Sequence, residues 1–148
     1  MIKIEQYLQP DRIVAMRTID HDEIVNQLVA ICLRDMDPDS RARLRKKALR
    51  AMSMKDQGLG KGFAITHARI DEMDEIRVAA GFLPQPVRFA RWPDVHTVFC
   101  AIIPSGKASA YLGFMARLCR MLMQPGPRSA FATGDREQVL RKVRAFDA

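Results

Sequence analysis

Cysteine is scarce in this chain: Cys32, Cys100 and Cys119 are the three in 148 residues. They are odd in number, far apart and set among apolar neighbours. That excludes a disulfide scaffold or a C-x-x-C metal pair, and all three read as buried thiols. Histidine is as sparse. His21, His67 and His96 do not recur at ligand spacing, so neither a structural metal nor a cofactor is expected. No apolar run nears the ~20 residues of a membrane-spanning helix. Val98 to Ile103 is among the longest, so membrane insertion is not expected. The opening residues Met-Ile-Lys-Ile-Glu-Gln lack the apolar core and cleavage site of a secretory signal, which points to the cytoplasm. There is no internal repeat and no low-complexity tract.

What the chain does have is a globular mixture, 48% hydrophobic and 28% charged, at a length that fits one domain. It also has a basic excess, with a net charge of +7. Much of that excess sits in one segment, where Arg41, Arg43, Arg45, Lys46, Lys47 and Arg50 surround a thin stripe of Leu44, Ala48 and Met52. A helix opening at Asp37-Pro38 accounts for the pattern. Such a face could contact nucleic acid. However, no helix-turn-helix spacing, zinc pattern or aromatic stacking motif accompanies it, and a solvated helix face is the commoner origin of such a run.

The other elements follow from periodicity. Residues 12–16 read as a first strand after a turn at Pro10-Asp11. Asp20 with Glu23 resembles a capping box, opening a helix whose Ile24, Leu28, Ile31 and Cys32 share a face. Short strands are expected at 63–66, around Ile76 to Phe82, and at Val87 and Phe89 beyond Pro84 and Pro86. The continuous run 98–103 suggests a central strand covered on both faces. A helix from about Ala108 carries Tyr111, Leu112, Phe114, Met115, Leu118, Cys119 and Leu122, and Pro125-Gly-Pro127 breaks it. A last helix is capped by Thr133-Gly-Asp135. The fold class is therefore α/β: a single three-layer domain, with a mixed sheet of about four or five strands flanked by helices on both faces.

The stretch from Gly58 to His67 reads Gly-Leu-Gly-Lys-Gly-Phe-Ala-Ile-Thr-His. Alternate glycines allow positive φ and can turn successive amide N–H groups toward one anion, although a tight turn is the plainer use of them. An imidazole beside such a nest could hold a phosphoryl group. It is mostly neutral at neutral pH, with an unperturbed pKa of ~6.5, and it needs no separate base. His96 and His21 read as structural and solvated, respectively. Asp71, Glu72, Asp74 and Glu75 form an acidic edge just after His67, able to steer a basic partner. Met52, Met54 and Met73 flank the same segment as either a contact surface or core.

The glycine–strand–histidine stretch resembles the T-G-I-G-x-G-I-A-I-P-H-G signature of the IIA domains of the phosphoenolpyruvate-dependent phosphotransferase system, of the fructose/mannitol and nitrogen-regulatory type. Gln85-Pro-Val, the run Val95 to Pro104 and the helix Leu112 to Leu122 extend the likeness over nearly all of residues 1–148. The resemblance implies a phosphocarrier domain. In it His67 accepts a phosphoryl group from a histidine phosphocarrier protein, acting as one component of a transfer system and not as a stand-alone enzyme. With no permease-like or IIB-like segment, a regulatory role is expected, with a regulated transporter or kinase as a possible further partner.

The chain departs from the signature at Gln57, Thr66 and Ala68. The family's upstream arginine–glutamate pair falls near Ala51-Met52, with Arg50 one place out of register, and its second histidine aligns with Tyr111. The expected phosphoryl-binding set is therefore Gly58, Gly60, Lys61, Gly62, Thr66, Tyr111 and Arg50, with Arg69 as a further source of charge. A regulator of the same fold that has lost phosphoryl transfer, and a nucleic-acid module using helix 41–50, stay open as alternatives. Oligomeric state, sugar and downstream target are not legible.

Overall fold

The run from Val98 to Ile103 lies in strand β5 (Trp92–Ile103). No residue of the run is more than 3% exposed, as a strand covered on both faces requires. The computed structural model describes residues 2–52 and 56–148. Beside β5 lie β4 (Arg77–Phe89), antiparallel, and β3 (Phe63–Arg69), parallel. β1 (Ile13–Ala15) and β2 (Gln57–Gly60) close the edges, giving the order β1-β4-β5-β3-β2. Helices α2 (His21–Cys32) and α3 (Pro38–Met52) cover one face. α4 (Ala108–Leu122), α5 (Pro125–Thr133), α6 (Arg136–Asp147) and the short α1 (Ile4–Tyr7) cover the other. The three-layer α/β arrangement and mixed sheet expected from the sequence are what forms.

Local signals explain most boundaries. The Asp20 carboxylate accepts the Glu23 N–H at 3.1 Å and Asp135 accepts that of Gln138 at 3.3 Å, satisfying donors that a helix start leaves open. Two expectations need correction. Pro84 and Pro86 do not split β4. β1 ends opposite Phe82, so beyond that point β4 has a free edge, and the register with β5 shifts between Phe82 and Val87 where the prolines offer no N–H. Nor is Pro125-Gly-Pro127 only a breaker. Pro125 opens α5, where a fixed φ and a missing N–H cost nothing, and Gly134 ends it at φ +69°.

The glycine stretch is a hairpin. β2 and β3 pair antiparallel, and the chain turns through Gly60, Lys61 and Gly62, all at positive φ. The glycines serve packing as well. A Cβ on Gly58 would lie 2.1 Å from the Trp92 ring, and one on Gly62 2.3 Å from His96. His96 sits edge-on to Phe63 and shares a 2.8 Å hydrogen bond with Thr97 Oγ1, the structural part expected of it. Met52 and Met73 are core side chains, not a contact surface, and Met54 lies outside the described residues.

His21 is not simply solvated. Its Nδ1 meets Asp22 at 2.9 Å, its Nε2 meets Asp56 at 2.8 Å, and its ring lies 4.6 Å from that of Phe89. It therefore ties the start of α2 to the residue that leads into β2. Burial pulls its pKa down, but hydrogen bonds and charge attraction from Asp22 and Asp56 outweigh that, so the net shift is upward from 6.5.

Gly60→Ala meets open space and carries only the left-handed backbone cost, about 1–2 kcal/mol. Gly62→Ala adds a clash with His96, so urea unfolding should place it lower by a further ~1–3 kcal/mol. For His21, a raised folded-state pKa means stabilisation that is complete below the unfolded value and lost as pH rises through the folded one. Unfolding midpoints should therefore decline from about pH 6.5 upward, and His21→Gln should remove that part of the decline.

Candidate functional site

β3 alternates faces, so Ile65, His67 and Arg69 point toward α4 while Ala64, Thr66 and Ala68 point toward α2 and α3. His67 is half-buried, with its Nδ1 closed off from solvent. Its ring lies 5.9 Å from that of Tyr111 on α4, tilted by 34°. Between the strand and the helix is a cleft of about 770 Å³. His67 and Tyr111 share its wall with Arg69, Gln57 and Leu59, and α4 adds Met115 and Cys119. Its lining is mostly apolar. Ala51 at the end of α3, Ala68 and Gln57 also reach it, so four of the positions where the chain departs from the IIA signature, Tyr111 among them, converge on the histidine.

The expected phosphoryl-binding set does not assemble as the sequence suggested. Gly60, Lys61 and Gly62 form the hairpin tip at the start of β3, on the order of 16 Å along the strand from His67. Their amides cannot cradle an anion there. Gly58 packs under Trp92 on the α2–α3 side. Thr66 faces away from the cleft, fully buried, its hydroxyl without a hydrogen-bond partner among the described residues. Strand alternation explains this: a residue adjacent to His67 must project from the opposite face. Arg50 borders a separate depression of about 300 Å³ with Lys47, Asp71 and Glu72, which meets the cleft at Ala51 and Arg69. Tyr111 alone of the set lines the cleft with His67.

Arg69 is placed better than the sequence reading allowed. It stands two residues beyond His67 on the same face, a relation readable from the period of a strand. Likewise, Tyr111, Met115 and Cys119 are spaced as one helical stripe. Burial, with smaller contributions from the Cys100 and Cys119 thiols, raises the Tyr111 phenol far above its ordinary range, so its hydroxyl remains a donor. Burial also raises Cys119, which keeps the thiol protonated and weakly nucleophilic near neutral pH. Cys119 is half-buried, in contrast to the buried Cys32 and Cys100.

Half of the acidic edge after His67 is paired within the chain. Glu72 pairs with Arg43 at 2.9 Å and with Lys47, Glu75 pairs with Lys107 at 3.0 Å, and Asp71 accepts from Ser105. This segment therefore braces α3 and the start of α4, and Asp71 and Asp74 are the two of its acids outside the ion pairs found among the described residues. Among the described residues no group of three or more His, Cys, Asp or Glu gathers as metal ligands, and no helix is long and apolar enough to cross a membrane.

Residues 6–145 match the family model described as phosphoenolpyruvate-dependent sugar phosphotransferase system, EIIA 2. Among solved structures, the chain is similar to the nitrogen regulatory protein IIA-Ntr from Neisseria meningitidis, with a TM-score of 0.78 at 21% identity, over 95% of this chain and 98% of that one. It is also similar to the mannitol-specific cryptic phosphotransferase enzyme IIA CmtB from Escherichia coli, with a TM-score of 0.65 at 12% identity, over 97% and 99%. At these identities the likeness is one of fold. No curated protein matches the chain in sequence.

Proposed function

The chain belongs to the EIIA 2 family of the phosphoenolpyruvate-dependent sugar phosphotransferase system, and on that footing we propose that His67 accepts a phosphoryl group from a histidine phosphocarrier protein. The observation that carries this reading is the half-buried imidazole on the wall of an open cleft, beside a guanidinium and a phenol. With Nδ1 buried, Nε2 is the nitrogen left for attack. Its lone pair forms the new P–N bond as the bond to the donor imidazole breaks, and the departing nitrogen keeps that electron pair. The proton on Nδ1 stays in place and fixes the tautomer.

Charge on the three phosphoryl oxygens needs preorganised donors in a poorly hydrated site. Arg69 and the protonated Tyr111 hydroxyl fill that role in place of the glycine amides. The apolar lining contributed by Leu59, Ile103 and Met115 limits water, which protects a phosphohistidine from hydrolysis. The domain, residues 1–148 acting as one cytoplasmic unit, serves regulation and not sugar uptake, with a transporter or kinase as the further partner. A second reading, an EIIA fold acting by binding alone, draws on Thr66 and the hairpin glycines being turned away from His67.

The test is to incubate the protein with phosphoenolpyruvate, enzyme I and the phosphocarrier, then weigh it intact. One acid-labile phosphoryl group is expected, and His67→Ala should abolish it. Arg69→Ala removes a charge-assisted hydrogen bond made to the transferring group, and so should slow transfer by about ten- to a hundredfold. Tyr111→Phe should have a smaller effect. An unmodified chain beside an active, phosphorylated phosphocarrier establishes the binding-only reading.

A further inference from the structure

We propose that the groove between α2 and α3 is a docking site for an acidic protein segment that carries an apolar anchor residue, separate from the His67 cleft. The groove has a volume of about 360 Å³. Leu33 forms its floor, and Ala30, Pro38 and Ala42 form apolar walls. Arg34, Arg41 and Arg45 stand around it, all exposed.

These three arginines are left positive by the way the surrounding charges are arranged. α3 carries six basic side chains and a single acidic one, Asp39. On its β3 side, Arg43 and Lys47 share Glu72, which offsets one of their two charges. On its α2 side, none of Arg34, Arg41 and Arg45 joins any ion pair found among the described residues. Two of the nearby acids have other partners: Asp35 pairs with Arg77, and Asp37 caps α3 through the Ser40 N–H at 3.1 Å. Two of the arginines are also held in place by neutral acceptors. Arg41 donates to the Arg34 carbonyl at 3.3 Å and Arg45 to Asn26 Oδ1 at 3.0 Å. Each guanidinium has five N–H donors, so such bonds orient the fork and leave donors for a ligand.

The combination selects the occupant. Guanidinium forks match carboxylates in a planar, two-bond geometry, and the apolar floor has room for a side chain that polar partners would leave unused. A nucleic acid would engage the charge but not the floor, and the groove has no aromatic ring on which a base could stack. A bilayer is a poor match as well, because the apolar stripe of α3 is already buried against the sheet at Leu44, Ala48 and Met52. An acidic segment with a leucine-like or aromatic anchor uses every feature of the groove, and the chain's net charge of +7 would steer it there.

The test is selection of a random peptide library on the 148-residue chain, followed by fluorescence anisotropy with the enriched peptides. Peptides carrying several carboxylates around one large apolar residue are expected. Their affinity should fall at least tenfold in an Arg34→Glu, Arg45→Glu double variant, and comparably when the anchor is changed to serine. His67→Ala should bind them unchanged, which separates this site from the phosphoryl site. Both arginines are exposed, so the double variant should melt like the parent. The proposal is overturned if no acidic peptide is enriched, if the double variant binds as tightly as the parent, or if His67→Ala loses binding. It is also overturned if short duplex DNA competes through the same arginines and changing the anchor has no effect.

Discussion

Seven residues of β3, from Phe63 opposite Thr97 to Arg69 opposite Ile103, pair in parallel with β5. β5 cannot slide, because both its faces are locked into core: Phe99, Ala101 and Ile103 on one side, Val98, Cys100 and Ile102 on the other. The ladder therefore sets which way each β3 side chain points. A slip of one residue would exchange the faces. Thr66 would then enter the cleft, and the imidazole of His67 would be forced into the α2–α3 core beside Cys100 and Ile102 of β5. A buried polar group left without its partner costs about 1–3 kcal/mol, so the same packing that specifies the register also keeps the histidine at the cleft.

Around that histidine, burial sets the chemistry as much as residue type does. The phenol of Tyr111 and the thiol of Cys119 both have raised pKa values because they are drawn out of water. Each stays protonated, one as a hydrogen-bond donor and the other as a near-inert neighbour. Arg69, itself exposed, brings a full positive charge to the wall of the same cleft. An EIIA domain needs little more than a neutral nucleophile and well-placed positive charge, because phosphoryl transfer asks for positioning and electrostatic stabilisation more than for covalent help.

Charge is partitioned across the molecule by α3. Its β3-facing flank is tied to Glu72, so the acidic segment 71–75 braces the helix next to the site. Its α2-facing flank keeps its positive charge, and much of the chain's basic excess is presented there. Opposite flanks of one helix thus have different jobs, which the linear run from Arg41 to Arg50 does not reveal.

Where the decisive information was local, the sequence alone determined the outcome. The double-faced burial of β5 follows from an unbroken apolar run, the start of α2 from Asp20 with Glu23, and the family from the glycine–strand–histidine stretch. These depend on neighbours within a few residues, where backbone sterics and hydrogen-bonding rules act directly. Only the tertiary structure decided what the glycines are for, that Pro84 and Pro86 sit within a strand, that His21 clamps Asp56, and that Tyr111 of α4 shares the cleft with His67. Each of these depends on which distant element lies alongside: Trp92 over Gly58, β1 ending at Phe82, α4 facing one side of β3. Contacts between residues far apart in the chain are set by packing and strand register, and a one-dimensional pattern does not carry them.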